Sequence, residues 1–185
     1  SYTVRELLYG MMLNSGNDAA AALACTLCGN ESSFAEKMNQ KARELGLENT
    51  SFCNPHGLDS EGHYSSARDM ARLTAYCMKN DTFKSIVSTN CAVIKGVTYY
   101  NHNRLLREYE GCIGVKTGYT IAAGRTLVSC AERGGMRLVC VTLNAPDDWN
   151  DHKYLLDKVF SDYRIVLYDA DSFRISLDVA SAAVS

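Results

Sequence analysis

The spacing of apolar residues changes once along the chain, near residue 90, and that change governs what the chain can fold into. Before it, apolar side chains recur three and four positions apart, the period of helices with one buried stripe. After it, short apolar segments come in pairs around glycine-bearing turns, the pattern of antiparallel hairpins. The predicted fold class is therefore α/β in the α+β sense, a helical half followed by an antiparallel sheet with a closing helix. At 185 residues, 46% of them apolar, the chain can bury one sizeable core.

Thr3 and Glu6 stand three apart ahead of Leu7, Leu8, Met11 and Met12, the signature of a capping box. Asn14–Asn17 then interrupts the pattern, and an alanine-rich helix is predicted from Asp18 to about Cys28. Ser33 with Glu36 repeats the capping signature, ahead of Phe34, Met38, Ala42 and Leu45, with Gly46 as the stop. Leu47–Tyr64, rich in Asn, Gly, Ser and His, reads as a long loop. A helix from about Ser66 to Lys79 follows, with Met70, Leu73 and Cys77 inward and Asp69 near its positive end. Cys91–Ile94 and Val97–Tyr100 form a predicted hairpin about Lys95-Gly96; Leu127–Ala131 and Met136–Leu143 form another about Glu132–Gly135. Asp147-Asp148 open a last helix that buries Leu155, Leu156, Val159 and Phe160. Phe173, Ile175, Leu177 and Val179 alternate as a strand.

Charge and cysteine content exclude several functions. Lys and Arg total 19 against 21 Asp and Glu, a net charge of −2. With no basic stripe, nucleic acid is excluded as a partner. The longest apolar run, Ala19 to Cys25, is too short to span a bilayer. Of the 8 cysteines, Cys25 and Cys28 form a C-x-x-C, yet no second pair and no histidine cluster completes a metal site. They are read as small buried side chains; no metal and no cofactor is expected.

Two triplets remain. Ser15-Gly16-Asn17 falls in the turn between two predicted helices, and Lys116-Thr117-Gly118 follows Ile113 and Val115. Ser15 and Asn17 suit a helix cap, and a lysine suits an exposed sheet edge. Taken together and in this order, they resemble the second and third signatures of the serine penicillin-binding enzymes, S-x-N and K-T-G. The likeness is to the low-molecular-mass D-alanyl-D-alanine carboxypeptidases. It extends to Tyr2–Gly10, Ser15–Ala20, Met38-Asn39, Asn54–Asp59 and Gly114–Thr120, and so from Tyr2 to about Tyr163.

The resemblance implies a β-lactamase/penicillin-binding-protein-like fold and a serine-type carboxypeptidase that acts through an acyl-enzyme on peptidoglycan stem peptides ending in D-Ala-D-Ala, with β-lactams as inhibitors. It assigns Ser15, Asn17 and Lys116 to catalysis: a hydroxyl that passes a proton, an amide that holds the substrate backbone and a cation beside them. Thr117, Gly118 and Tyr119 bind substrate, the last through its backbone N–H in the oxyanion hole. Where the family carries a basic residue within Asn-x-Asn, this chain has Asn101-His102-Asn103, so His102 or the following Arg104 is expected to meet the substrate carboxylate.

The family's first signature, S-x-x-K, is absent: no serine is followed three positions later by lysine. The expectation is a truncated domain over 1–168 that lacks its N-terminal strands and nucleophile helix, is inactive alone, and dimerises through the surface so exposed. Residues 169–185 would begin a C-terminal β-rich domain or linker. Export to the bacterial cell envelope, with a membrane anchor, follows from the substrate. A non-catalytic peptidoglycan- or β-lactam-binding module is the alternative reading, and a serine β-lactamase the third. Asp59, Glu61 and Asp69 bear on the last: none lies in the E-x-x-L-N context of a deacylating glutamate. His56 and His63 are assigned to loop structure, and His152 to the surface.

Overall fold

The computed structural model describes residues 1–165. The alternating Phe173–Val179 segment and the domain boundary expected at residue 168 lie outside them. Five helices come first: α1 (Val4–Asn14), α2 (Asn17–Cys28), α3 (Glu31–Glu44), α4 (Ala67–Cys77) and α5 (Asp81–Val87). The hairpin of β1 (Cys91–Ile94) and β2 (Val97–Tyr100) and the short α6 (Leu105–Glu108) lead into a sheet of β3 (Cys112–Thr120), β4 (Gly124–Arg133) and β5 (Met136–Thr142), closed by α7 (Asp148–Asp162).

Local chemistry explains most element ends. The Thr3–Glu6 capping box forms, with Thr3 N donating to Glu6 Oε2 at 2.7 Å and Glu6 N to Thr3 Oγ1 at 3.2 Å. The β1–β2 turn places Lys95 and Gly96 at φ 49° and 81°, the paired positive values of a two-residue turn whose twist matches its strands. The second capping signature misplaces α3. Asn30 Oδ1, not Ser33, caps that helix by accepting from Ser33 N at 2.7 Å. With one orphan N–H satisfied a turn earlier, the helix begins a turn earlier. Neither α5 nor α6 is foreseen in the sequence; at seven and four residues, both are too short to display a period.

The three-stranded sheet is antiparallel in the order β3-β4-β5 and is covered on both faces. Along β4, side chains alternate between two cores, as the pleat requires. Leu127 and Ala131 join Leu105, Tyr109, Cys140 and Leu156 beneath α7, while Cys130 joins Met78, Val87 and Val115 on the helical side. Within α7 the expected stripe holds at Leu156, but Leu155 is exposed. His152, expected at the surface, is fully buried instead. It lies one turn before Leu156, on the same face, and its ring is accommodated by two hydroxyls: Ser129 Oγ at 2.6 Å from Nδ1 and Thr142 Oγ1 at 3.0 Å from Nε2.

The long loop between α3 and α4 is tied at several points. Asn39 exchanges two bonds with the Phe52 backbone, at 2.7 and 2.8 Å, acting as one residue of a strand would. The buried carboxylate of Asp69 accepts from Asn49 N at 2.7 Å and Thr50 Oγ1 at 2.8 Å. Cys53 N donates to His63 Nδ1 at 3.0 Å, and Asn54 bridges Gly57 N and Leu58 O. His56 Nε2 meets Glu31 Oε2 at 3.2 Å. Both loop histidines thus serve loop structure, as expected, and the loop stands as a firm wall despite having almost no regular pairing.

Candidate active site

α1 ends in a left-handed residue, Ser15 at φ 56°, and Gly16 N donates back to Gly10 O at 3.1 Å. Ser15 N donates to the same Gly10 carbonyl, the 6→1 bond that reverses the chain and leaves the Ser15 hydroxyl projecting from the corner. Gly16 is held tightly: a Cβ there would lie 3.2 Å from both Gly10 O and Asp18 Oδ1. α2 starts at the next residue, so Asn17 sits at its first turn, its side-chain amide exposed and without a hydrogen bond among the described residues.

The second triplet comes from β3. This strand pairs with β4 on one side only, Lys116 opposite Val128, Thr117 opposite Leu127 and Gly118 opposite Thr126. Its other edge is open along the triplet. At Gly118 a Cβ would stand 2.4 Å from Thr126 Oγ1, so any larger residue would have to displace that hydroxyl. Tyr119 is exposed, and beyond it Thr120 Oγ1 accepts from Ala123 N at 3.0 Å to close the β3–β4 turn.

The two triplets meet. Lys116 Nζ donates to Ser15 Oγ across 101 residues of sequence, and to Thr117 O at 2.9 Å. Partial withdrawal from water lowers the Lys116 ammonium to about 8, because burial penalises the charged form. A hydroxyl and a readily deprotonated ammonium therefore meet beside a strand edge able to receive an extended peptide, with Asn17 two residues beyond the hydroxyl.

The remaining expected residues are divided. Asn101 and Asn103 form a buried frame: Asn101 Nδ2 donates to Val87 O and Thr89 O, and Asn101 Oδ1 accepts from Asn103 N. Between them His102 is exposed, and its N–H donates to Leu13 O at 3.2 Å, two residues before Ser15. The frame thus sets His102 near the groove. Arg104 is not brought there. Its Nε binds Glu108 Oε1 at 2.8 Å and its guanidinium lies over Trp149, where an ion pair and a stacked ring hold it on the α7 side of the fold.

Ser129, His152 and Asp148, one helical turn before His152, repeat the residue types of a hydrolytic triad. All three are buried, Ser129 and His152 at 0% exposure, so no substrate atom can reach that hydroxyl. Among the described residues no three His, Cys, Asp or Glu side chains converge on a metal position, and all eight cysteines are free. What sequence reasoning missed is a cleft between the long loop and the β3–β4 turn. The loop residues Asp59, Ser60, Glu61 and His63 face Ala122 and Ala123 of the β3–β4 turn across a cleft of about 480 Å3; no periodicity signals a meeting of loop and turn.

A family model described as D-alanyl-D-alanine carboxypeptidase matches residues 1–147. The chain is 43% identical over 169 residues to the D-alanyl-D-alanine carboxypeptidase DacF of Bacillus subtilis, covering 87% of this chain and 43% of that protein. It is 39% identical over 173 residues to DacB2 of Mycobacterium tuberculosis, covering 87% and 59%. Among solved structures, the Streptomyces K15 DD-transpeptidase superposes with a TM-score of 0.82 at 37% identity, over 86% of this chain and 68% of that one. A D-alanyl-D-alanine carboxypeptidase from M. tuberculosis gives a TM-score of 0.80 at 38% identity, over 86% and 65%. The chain spans about half the length of the curated relatives it matches.

Proposed function

The chain belongs to the peptidase S11 family of D-alanyl-D-alanine carboxypeptidases, and from that premise we propose that its groove is the substrate-binding half of a serine D,D-carboxypeptidase site. The contact of Lys116 Nζ with Ser15 Oγ carries this reading: it joins both signature triplets in one place. An extended peptide lies antiparallel on the open edge of β3, its terminal carboxylate against Lys116 and Thr117 and its scissile carbonyl at the Tyr119 N–H. The Asn17 amide holds the peptide backbone, Ser15 relays a proton to the leaving nitrogen, and exposed His102 adds a donor near the carboxylate.

The substrate this reading assigns is a peptidoglycan stem peptide ending in D-Ala-D-Ala, with β-lactams as competing acylating agents. The protein then works outside the cytoplasm, held at the bacterial envelope by an anchor; among the described residues no helix is long and apolar enough to cross a membrane. Labelled benzylpenicillin tests the assignment. A protein that carries this chain together with a Ser-x-x-Lys segment is expected to form a stable adduct and release D-alanine from a D-Ala-D-Ala peptide. The 185 residues alone, with no Ser-x-x-Lys, are expected to stay unlabelled. Labelling of a serine within them, or rapid penicillin turnover by the whole protein, would overturn the assignment.

Self-association is the second part of the proposal. The alanine face of α2 is already filled, since Ala19, Ala20, Leu23 and Ala24 are buried within the chain. Open apolar surface lies instead on the β1–β2 hairpin, where Val93, Val97 and Tyr100 are exposed, and on the neighbouring α1 at Val4. Sedimentation velocity is expected to show a dimer weakened by Val93→Lys; a single monomeric species at every concentration removes it.

A further inference from the structure

For Lys116 to reach Ser15, the corner after α1 must lie beside β3. Among the described residues a single backbone hydrogen bond joins α1 or α2 to the rest of the chain, His102 N to Leu13 O at 3.2 Å, and it falls two residues before Ser15. That N–H is aimed by its neighbours. Asn101 Oδ1 accepts from Asn103 N at 2.9 Å and Asn103 Oδ1 from Leu105 N at 3.1 Å, two Asx turns in succession that set His102 at the bend. The other end of the Asn101 amide works toward β3. Its Nδ2 donates to Val87 O at 3.2 Å and Thr89 O at 3.1 Å, and buried Val87 shares a core cluster with Val115, the residue before Lys116. A Cβ at Gly114 would stand 2.8 Å from Val87 Cγ2, so Val87 and β3 are already at closest approach. Stability does not account for this frame. Asn103 is wholly buried, yet its Nδ2 has no hydrogen-bond partner among the described residues. An idle buried donor is a net cost to folding, and breaches of this kind gather at functional sites.

We infer that Asn101 is a positioning residue for the proposed reaction: its buried amide fixes the gap between the Ser15 corner and the Lys116 strand. It acts through His102 and Leu13 on one side and through Val87 and Gly114 on the other, and touches neither substrate nor a reacting group. The inference deepens the carboxypeptidase reading and rests on it for what the Ser15–Lys116 contact does; the contact itself is a feature of the chain. Without the amide the α1 corner is free to draw away from β3. Water then reaches Lys116 Nζ and relieves the burial that holds this ammonium low.

The 185-residue chain suffices for the first measurement: trace acylation of the Lys116 amine across pH, read by mass spectrometry of its peptide, alongside urea unfolding. Asn101→Ala is expected to move the Lys116 titration from about 8 to above about 9 in the folded chain. Asn39→Ala removes an amide that likewise makes two hydrogen bonds, to Phe52 in the long loop; it is expected to cost stability and leave that titration unmoved. Should Asn101→Ala not fold, His102→Pro, which deletes only the N–H that Leu13 accepts, carries the same expectation. An unmoved titration in the folded variant overturns the inference, as does failure of both variants to fold, which makes the amide structural and no more. In a protein that carries this chain together with a Ser-x-x-Lys segment, Asn101→Ala is expected to lower kcat for D-alanine release about tenfold while KM changes less than about twofold; an unchanged kcat overturns the inference too. No D-alanine and no penicillin adduct from that protein before substitution brings down the carboxypeptidase reading, and the titration, read without it, still decides whether Asn101 positions the contact.

Discussion

In a protein that carries this chain together with a Ser-x-x-Lys segment, replacing Lys116 by methionine is expected to slow D-alanine release, and acylation by benzylpenicillin, roughly a thousandfold. Methionine nearly preserves the volume of the lysine stem, so the loss reports on the ammonium. Two interactions vanish together: the donor to Ser15 Oγ and, in the function proposed above, the cation for the substrate carboxylate. Arginine is not a substitute, since its planar fork cannot place one donor between Ser15 and Thr117 O as a compact ammonium does. A variant retaining more than a tenth of the rate would show that the groove works without this cation.

The same ammonium sets the alkaline limit. Its folded-state value is about 8 against an ordinary 10.5. The carboxylate-binding, charged form therefore dominates below about pH 8, and kcat/KM is expected to fall above it. Stability runs the other way. Between about 8 and 10.5 the unfolded chain holds this proton more tightly than the folded one, so the penalty for a charged Lys116 disappears as pH rises through that window. Lys116→Met should consequently melt later than the parent at pH 7, by the few degrees that correspond to about 1 kcal/mol. A substitution that removes activity and raises Tm separates a functional lysine from a merely structural one.

How much of this was legible in advance divides by distance along the chain. Thr3 with Glu6, and Lys95 with Gly96, act within one turn, and both formed where their spacing predicted. The two triplets were likewise readable as local words, and the family they resemble is the one the chain belongs to. Whether Lys116 reaches Ser15 is a different kind of fact. It depends on β3 lying beside the corner that follows α1, and no periodicity spans 101 residues. Arg104 shows the reverse failure: adjacent in sequence to Asn103, it turns away because Glu108 and Trp149 offer it partners that the linear order does not reveal. His152 was misread for a correctable reason. Asp148, His152, Leu156, Val159 and Phe160 follow one another at helical spacing on a single stripe, so the buried position was written in the period; only its polarity argued for the surface.

That buried imidazole predicts the molecule's response to mild acid. Burial holds His152 near 4, well below the 6.5 of an exposed histidine, and nearby Asp148 only partly counters the effect. Asp148 is itself engaged, with Arg125 at 2.9 Å. Charging the ring would require both Ser129 and Thr142 to accept at once, in a site without water access. As pH falls the unfolded chain takes up this proton first, so stability is complete above about 6.5 and drains away toward 4, by about 2 kcal/mol between pH 7 and pH 5. Carboxylates held low by their partners, such as Glu132 beside Lys84 and Asp157 beside Tyr109, lose their contribution only below that interval, which leaves it to histidine. Urea unfolding at the two pH values should show the difference, and His152→Gln, which keeps a polar side chain without the titration, should lower stability at pH 7 yet flatten the slope. An imidazole resonance of His152 titrating near 6.5 in the folded protein would be incompatible with this account, because a ring that charges freely there cannot be closed off between α7 and the sheet.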